Sequence, residues 1–421
     1  MSLSKEFFIQ NRISLSEKLP VNTAVFLFAG KEASMCADTE YRFLPDRNFY
    51  YLTGVSVPET KVIIRKSENS LETILFLPEK NDMVERWHGK RRTFEEWAEV
   101  TGIPVENIRA LEEFDDCCYK ILHDSDLTVG FDSKSIMQEM KDFAVNLNSA
   151  RSPEGIIDIA DTLIRMRMVK KPCEIEAIRK AAKITEDAVE DMRKVIKPGC
   201  TELEIYTELE YHMARRGSLI PAFATIAAVG ENCFYLHHSD PEDENGVTGK
   251  PGDVVQIDLG ARVDGYCADI SRAFFITDGK DFTDDDKHLK LYKLVKSLRD
   301  YVFGAIKPGE SFAGLNKAVR LMCYEFMLAN NLAEQAESEE DKIKAGMEIY
   351  WHNTGHQLGL DVHDVTIKDS VFEAGNCLAI EPGVYIKKWG IGFRIEDDVL
   401  VTENGCELLS SGKDSLSEII C

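Results

Sequence analysis

Two aspartates lie inside a predicted β-hairpin, at positions where strands usually carry apolar side chains. They are Asp258 and Asp269, and the hairpin covers residues 254–272. Its turn is Asp264-Gly265, a dipeptide that strongly favours two-residue hairpin loops. In either of the two registers considered for this turn, the carboxylates share one face and their Cβ atoms lie roughly 5 to 8 Å apart. Because two bare carboxylates at that distance repel each other, the arrangement predicts a metal ion between them.

The same arrangement is repeated further along the chain. Residues 252–258 resemble residues 375–381, which end at Glu381, and a fourth carboxylate, Glu396, follows. An even-length loop between the last two acids would again place both on one face. In each half a Lys-Pro-Gly segment opens a helix and histidines precede the acids: the segments begin at Lys197 and Lys307, and the histidines are His237 and His238, then His352 and His356. The repeated order predicts an internal duplication whose two halves face one cleft.

The residue types in these halves indicate which metals fit. Carboxylate oxygens with one imidazole suit Mn²⁺, Fe²⁺, Co²⁺ or Zn²⁺ and differ from a site built of thiolates. Five ligands, two of them able to bridge, are what a centre of two metal ions roughly 3.5 to 4 Å apart requires. We therefore expect two divalent metal ions, with Mn²⁺ as the first choice and Co²⁺, Fe²⁺ or Zn²⁺ as the alternatives.

Composition and charge argue against several classes of protein. The chain of 421 residues has a formal net charge of −23, which argues against nucleic acid or an anionic membrane as a partner. The eleven cysteines are scattered without a C-x-x-C pair, which predicts reduced thiols in a cytoplasmic enzyme. The first residues lack the apolar run of a signal peptide, and no stretch approaches the ~20 apolar residues of a membrane span. These features predict a soluble, cytoplasmic protein.

Two domains of different class are expected. Residues 1–150 alternate strands with helices, which predicts an α/β domain with a partly parallel sheet. Residues 150–155 are the predicted linker, and residues 156–421 predict an α+β domain whose antiparallel sheet carries helices on one side. The predicted elements are strands over 24–28, 62–64, 74–77 and 127–131, and helices over 93–100, over 174–196, from Thr201 to about Gly217, over 283–306 behind Asp284, Asp285 and Asp286, and from about Ser311.

Five segments of the second domain resemble the metal-site motifs of the pita-bread metallopeptidases. They occur in the family's order and cover the domain nearly end to end: Gln256-Ile257-Asp258-Leu259-Gly260, Ala268-Asp269-Ile270-Ser271-Arg272, residues 355–365, Ile380-Glu381-Pro382-Gly383-Val384-Tyr385 and Arg394-Ile395-Glu396-Asp397-Asp398. The subgroup that they resemble most is that of the Xaa-Pro aminopeptidases (aminopeptidase P) and prolidases. A weaker resemblance to the aminopeptidase P N-terminal domain covers residues 41–42, 48–54 and 85–91. The resemblance implies a pita-bread C-terminal domain with internal duplication, behind a smaller α/β N-terminal domain.

The resemblance also implies how the five ligands are shared between the metal ions. Asp258 would bind the first metal ion, whereas His356 and Glu381 would bind the second. Asp269 and Glu396 would bridge both. The carboxylate of Glu381 would have a catalytic role as well, because family mechanisms use this position to handle a proton.

Further residues around the metals acquire roles from the same resemblance. His363 would donate to the scissile carbonyl oxygen or to the tetrahedral intermediate, a role that stabilises an oxyanion. His237, His352 and Arg394 match substrate-pocket positions on the proline side of the scissile bond. Asn353 occupies a position at which the family pattern often has glycine.

The expected activity is metal-dependent release of the N-terminal residue from peptides with proline in second position, by attack of a metal-bridging hydroxide. An Xaa-Pro bond is a tertiary amide without an N–H group and with a fixed φ, so peptidases that hydrogen-bond this group bind it poorly. One alternative is prolidase, which hydrolyses Xaa-Pro dipeptides. Another is a non-catalytic binding protein on the same scaffold, and a third is creatinase-like amidine hydrolysis; the intact five-ligand set argues against both. The size of the N-terminal domain argues against methionine aminopeptidase.

The partners and the surface of the N-terminal domain are less well specified by these patterns. The resemblance implies a homodimer or homotetramer. We interpret Trp87 and the basic cluster Lys90-Arg91-Arg92 as surface or interdomain packing. A further hypothesis, from the resemblance, is that this part of the N-terminal domain approaches the cleft of a neighbouring subunit.

Overall fold

The chain forms two compact units, Met1–Met166 and Arg167–Cys421. The computed structural model describes residues 3–240, 247–277, 279, 283, 286–412 and 421. Within these residues, no helix combines the length and the apolar character that a membrane span requires. All eleven cysteines are free, which agrees with the expectation of reduced thiols.

A mixed six-stranded sheet is the centre of the first unit. The strands of this region are β1 (Thr23–Phe28), β2 (Ser34–Cys36), β3 (Thr39–Glu40), β4 (Lys61–Lys66), β5 (Leu71–Leu77), β6 (Ile108–Ala110), β7 (Thr128–Phe131) and β8 (Ile156–Asp158). The helices are α1 (Lys5–Glu17), α2 (Arg47–Thr53), α3 (Asp82–His88), α4 (Phe94–Thr101), α5 (Phe114–Leu122), α6 (Gln138–Ala150) and α7 (Ala160–Met168). The order of the strands in the sheet is β6-β5-β4-β1-β7-β8. The neighbours β1–β4 and β4–β5 are antiparallel, whereas β1–β7, β5–β6 and β7–β8 are parallel, which confirms the partly parallel sheet.

The division between the units falls later in the chain than the sequence-based boundary of 150 and 156. After α6 ends at Ala150, a 3₁₀ turn leads into β8, which pairs in parallel with β7 of the first sheet. The segment 150–155 therefore connects two elements of the same unit. The composition of this Ser-Pro-Glu-Gly segment is typical of a loop, but such a pattern does not reveal that the next short strand returns to the first sheet.

Helix pairs alternate with strand pairs in the second unit, as the sequence predicts. The helices are α8 (Pro172–Met192), α9 (Glu202–Arg215), α10 (Lys287–Ala305), α11 (Phe312–Ala329) and α12 (Glu339–Gly346). The strands are β9 (Ile226–Val229), β10 (Val254–Leu259), β11 (Arg262–Val263), β12 (Tyr266–Cys267), β13 (Ile270–Phe275), β14 (Gly355–Gln357), β15 (Cys377–Ile380), β16 (Gly383–Ile386), β17 (Ile391–Arg394), β18 (Asp397–Val401) and β19 (Cys406–Leu408). Thr201 and Ser311 cap α9 and α11 as expected. The predicted helix over 283–306 begins at Lys287 behind the cap Asp286, and Asp284 and Asp285 lie outside the described residues.

The internal duplication is visible in the sheets. The first half contributes the antiparallel set β13-β10-β9, and the second contributes β14-β15-β18-β19. In each half a short hairpin connects two longer strands, and the acidic residues lie on these strands or at their ends: β11–β12 connects β10 with β13, and β16–β17 connects β15 with β18. The second hairpin has the four-residue loop 387–390, which is the even length expected from the spacing of its acids.

Each half packs one face of its sheet against its own helices. In β10 the side chains of Val255, Ile257 and Leu259 join a buried cluster with residues of α8 and α9. In β15 the side chains of Leu378 and Ile380 join a second cluster with residues of α10 and α11. Because side chains alternate between the faces of a strand, the positions between these apolar residues lie on the opposite face.

The Asp264-Gly265 turn selects one of the two predicted registers. Val263 pairs with Tyr266, and Asp258 pairs with Ser271, so Asp258 and Asp269 are diagonal neighbours. Asp264 and Gly265 have φ angles of 50° and 87°, the left-handed values that a type I′ hairpin turn requires.

The close approach at Gly260 generates a stability prediction. A Cβ at this position would lie 1.8 Å from the carbonyl oxygen of Ala268, a backbone atom that cannot move aside cheaply. We expect Gly260→Ala to lower the free energy of unfolding by about 1–3 kcal/mol. Gly304→Ala is the control: in α10 the added Cβ meets no described atom within 4 Å, and Ala is favoured over Gly in a helix by about 0.5–1 kcal/mol.

Urea unfolding followed by tryptophan fluorescence measures both differences. Trp351 and Trp389 report on the second unit, which contains both glycines. If Gly260→Ala were as stable as the wild type, the backbone contact at Ala268 would not constrain the hairpin.

Candidate metal centre

A cavity of about 520 Å³ in the second unit contains the predicted site residues. All nine line it: Asp258, Asp269, His356, Glu381, Glu396, His363, His237, His352 and Arg394. Apolar side chains share the lining, among them Phe223, Ile226, Leu236 and Val362. The structure therefore gathers in one place residues that the sequence separates by more than 150 positions.

The strands explain how four carboxylates come together. Asp258 lies on β10, and Asp269 directly precedes β13. Glu381 directly follows β15, and Glu396 directly precedes β18. Asp258 directly follows Ile257, which packs against the helices, so the side chain of Asp258 lies on the opposite face of the strand. In the same way, Glu381 directly follows the helix-packed Ile380. The acids thus use the faces that the helices leave free.

His356 completes the most compact ligand group. Asp269, His356 and Glu396 each offer a ligand atom, and these three atoms lie within 4.8 Å of one another. The Nε2 atom of His356 is 3.3 Å from Oδ2 of Asp269. Its Nδ1 lies 3.0 Å from the carbonyl oxygen of Gln357, which can only accept, so Nδ1 carries a hydrogen and this bond directs Nε2 towards the carboxylates.

Among the described residues, several buried carboxylate oxygens of the cluster have no hydrogen-bond donor to compensate for their loss of water. Oδ1 of Asp258, Oδ1 of Asp269 and Oε1 of Glu396 are buried and have no hydrogen-bond partner among the described residues. Burial and the charge of Asp258 raise the pKa of Asp269 well above its usual value, and burial and Asp269 do the same to the pKa of Glu396. Oxygen ligands with one imidazole and unpaired, mutually repelling oxygens fit divalent cations.

Arg394 offsets part of this negative charge. Its Nη2 donates to Oδ2 of Asp258 at 2.5 Å and its Nε donates to Oγ of Ser271 at 2.9 Å. The Ser271 hydroxyl in turn donates to Oε2 of Glu396 at 2.9 Å. The guanidinium is thus committed to the carboxylate cluster, although the residue lines the cavity as expected; its contact with substrate stays a prediction.

His352 is held as a neutral imidazole in a defined tautomer. Its Nδ1 donates to the carbonyl oxygen of Asn353 at 2.8 Å, which leaves Nε2 to accept from the hydroxyl of Tyr385 at 3.1 Å. Burial lowers the pKa of His352 to about 4. Burial also raises the pKa of Glu381 to about 7, and its Oε2 lies 3.5 Å from Nδ1 of His352.

His363 and His237 lie on more exposed parts of the lining. The ring of His363 stacks on that of His356 with 3.9 Å between centroids, and burial, followed by the charge of His356, lowers the pKa of His363 to about 4. Asp364, the next residue, is buried between Arg167 and Lys170 and fixes the segment that carries His363. His237 precedes His238, whose Nε2 lies 3.0 Å from the buried carboxylate of Glu202.

Three supporting residues escaped the sequence analysis. Ser271 and Gln256 each carry a polar side chain two residues from a cavity aspartate and therefore share its strand face. Gln256 accepts from the backbone N–H of Arg394 at 2.8 Å, which joins the two halves. Tyr385 lies four residues after Glu381 on the next strand and holds His352. The period-2 pattern that identified the acidic residues also places Gln256 and Ser271 on the same strand faces, but an amide and a hydroxyl group did not suggest metal ligands.

Comparisons with known proteins agree with this geometry. Residues 176–403 match Metallopeptidase family M24, and residues 8–129 match Aminopeptidase P, N-terminal domain. The chain is 29% identical to the Xaa-Pro aminopeptidase of Escherichia coli (strain K12), with 97% of this chain and 95% of that protein covered. It is 30% identical to the Xaa-Pro aminopeptidase of Haemophilus influenzae, with the same coverage of 97% and 95%.

A solved structure extends the similarity to the whole fold. The E. coli aminopeptidase P with the inhibitor Pro-Leu superposes with a TM-score of 0.89 at 27% identity, covering 100% of this chain and 98% of that one. The sequence match covers more than half of this chain, and the fold and the carboxylate-lined cavity agree with it. The protein belongs to metallopeptidase family M24.

Proposed function

We propose that the protein is an Xaa-Pro aminopeptidase that uses two divalent metal ions to release the N-terminal residue from peptides with proline in second position. The observation that carries the proposal is the cavity in which four carboxylates and His356 converge with unpaired oxygens. The activity named for the E. coli and H. influenzae relatives supports the substrate class. The apolar lining supports it too, since a proline ring is recognised by shape and has no N–H group to bond.

The proposed assignment of the ligands is the one that the family resemblance implies. Asp258 would hold the first metal ion, His356 and Glu381 the second, and Asp269 and Glu396 would bridge them. The unpaired oxygens of Asp258, Asp269 and Glu396 support this assignment, as does the position of His356 Nε2, 3.3 Å from Oδ2 of Asp269. Mn²⁺ is our choice of metal because the donors are mainly hard carboxylate oxygens.

Divalent metal ions bound here would lower the pKa of a water molecule and polarise the scissile carbonyl group. Glu381 lines the cavity beside the other carboxylates, where its side chain can take up a proton and release it again. His363 is uncharged near neutral pH and can donate a ring N–H group to the carbonyl oxygen. The rings of His352, whose tautomer is fixed, and of the exposed His237 would line the cavity on the proline side of the scissile bond.

We further propose a cytoplasmic homodimer or homotetramer. The free cysteines and the acidic composition support the location. The exposed Trp87, at 83% of its full accessibility, supports an interface on the N-terminal domain.

Hydrolysis of matched substrates tests the activity directly. We expect the protein to cleave an Xaa-Pro-Xaa tripeptide with Mn²⁺ and to lose this activity on chelation, because the cluster cannot activate water without a cation. The control is an Xaa-Ala-Xaa tripeptide, which should be cleaved far more slowly. Cleavage of an Xaa-Pro dipeptide alone would identify a prolidase. Failure to cleave either peptide and to bind metal would favour the binding-protein alternative.

Metal binding has a stability readout that does not depend on turnover. In the metal-free protein, Asp269→Asn removes a buried carboxyl group that must either carry an unfavourable charge or bind a proton. We therefore expect a higher thermal midpoint than for the metal-free wild type. With Mn²⁺ the order should reverse, and activity should fall at least ~100-fold, because a ligand is missing. Differential scanning fluorimetry with and without Mn²⁺ measures both midpoints.

Asp300→Asn is the matched control, since this exposed aspartate on α10 lies outside the cavity. It should leave both the midpoints and the activity unchanged. An equal Mn²⁺-dependent rise of the midpoint in Asp269→Asn and in the wild type would exclude Asp269 as a ligand.

The raised pKa of Glu381 gives a pH dependence with a definite sign. Its pKa rises from the usual 4.5 to about 7, so the folded protein binds this proton more tightly than the unfolded chain does. The associated stability is complete below 4.5 and is lost as pH rises through about 7. Glu381→Gln has no such loss, so the metal-free variant should gain thermal stability relative to the metal-free wild type across this interval.

Taking the difference between the two proteins removes the opposing contribution of His363, whose lowered pKa acts in both. Besides burial, the charge of Glu381 also raises the pKa values of Asp269 and Glu396, so their contribution to the difference has the same sign as that of Glu381. Thermal midpoints at a series of pH values provide the measurement. A difference that does not change with pH would show that Glu381 titrates normally.

A further inference from the structure

Asn353 lines the cavity directly after His352 and is more exposed than its neighbours on either side. Its backbone carbonyl accepts from Nδ1 of His352 at 2.8 Å, so the residue is tied to the wall proposed for the proline side. The carboxylates lie deep in the cavity, whereas Asn353 lies towards the solvent. A peptide whose scissile bond reaches the carboxylates would therefore extend past His352 towards Asn353.

A chain of hydrogen bonds behind the wall fixes which way the Asn353 carboxamide points. The backbone N–H of Thr354 donates to Oδ1 of the buried Asn316 on α11 at 2.7 Å. A backbone N–H can only donate, so the Asn316 oxygen must face it and the Asn316 amide nitrogen must face the other way. The Thr354 hydroxyl donates to the same oxygen at 2.8 Å and receives a bond from Tyr350, which strengthens this orientation.

The orientation of Asn316 then determines that of Asn353. Nδ2 of Asn316 donates to Oδ1 of Asn353 at 3.1 Å. The oxygen of the Asn353 carboxamide is thereby occupied, and its Nδ2 donor has no partner among the described residues. Reversing the carboxamide would place two amide nitrogens opposite each other, which neither can accept. The network thus presents a neutral N–H donor on the cavity wall.

We propose that Asn353 is a specificity-determining residue that donates a hydrogen bond to the oxygen following the proline ring of the substrate. In a longer peptide this oxygen belongs to the proline carbonyl group, and in a dipeptide to the terminal carboxylate. A neutral donor serves both, so the contact anchors the substrate beyond the scissile bond without requiring a free carboxylate. The inference rests on the proposed Xaa-Pro aminopeptidase function.

The test removes the donor from the enzyme and the acceptor from the ligand. An Xaa-pyrrolidide keeps the tertiary amide and the five-membered ring but lacks the oxygen that follows the ring. We expect Asn353→Ala to raise the KM for an Xaa-Pro-Xaa tripeptide about tenfold with kcat within twofold, because the lost bond is made equally in the ground state and the transition state. The inhibition constant of the pyrrolidide, measured in competition with the tripeptide, should change less than twofold.

Asn353→Asp separates donation from mere contact. Asn316 can still donate to one carboxylate oxygen, so the local structure is kept, but the other oxygen replaces the donor with a charged acceptor. The KM for the tripeptide should rise further than in Asn353→Ala, again with little change for the pyrrolidide. Asn148→Ala and Asn148→Asp, at an exposed position of α6 in the first unit, are the matched controls and should change neither constant.

Equal losses for the tripeptide and the pyrrolidide would overturn the proposal and assign Asn353 a structural role in holding His352. Unchanged constants in both variants would overturn it as well. Wild-type cleavage of the tripeptide, measured in the same assay, tests the proposed function separately, so the two failures are distinguishable.

Discussion

Repulsion between buried carboxylates is the constraint on which the second unit depends. Asp258, Asp269, Glu381 and Glu396 line one cavity, and Arg394 supplies a single guanidinium charge against them. Like charges in a low-dielectric interior destabilise the fold unless protons or cations intervene. In the metal-free protein the raised pKa values of Asp269 and Glu396 favour binding of protons, which reduces the repulsion. Metal ions are the alternative, so the architecture that assembles the site also creates its affinity for cations.

The surrounding network keeps this unfavourable cluster in place. Asp397, next to Glu396, accepts from Arg272 and Arg299 at 2.8 Å each and from Ser410 at 2.7 Å. Its charge is therefore fully compensated, in contrast to that of its neighbour. The adjacent acids Glu396 and Asp397 thus have different roles, because neighbouring positions of a strand face opposite sides. The ion pairs of Asp397 connect β18 to Arg299 on α10 and to Arg272 on β13, and the strand in turn holds Glu396 at the cavity.

The sequence predicted that the four carboxylates share one cavity, because the period of a strand places both acids of each pair on one face. Asp258 and Asp269 share a face in both hairpin registers, so the prediction survived although the sequence could not choose between them. Glu381 and Glu396 followed from the same rule and the duplication. The domain boundary was less predictable, since the short β8 joins the first sheet through a pairing between distant segments. Asn316 was not predictable at all: it lies on α11, and only the fold brings it to Asn353 and Thr354.

Two histidines of the cavity, His352 and His363, are kept uncharged by burial. Burial lowers the pKa of His352 and of His363 to about 4, so neither adds positive charge near neutral pH. Cationic imidazoles beside the cluster would compete with metal ions for the carboxylates, whereas neutral ones leave these oxygens available. In its fixed tautomer His352 donates its ring N–H to Asn353 and accepts with its other nitrogen from Tyr385, so neither nitrogen is available for proton transfer. A residue with both nitrogens engaged serves as a rigid wall, which leaves proton transfer to Glu381 and hydrogen-bond donation to His363.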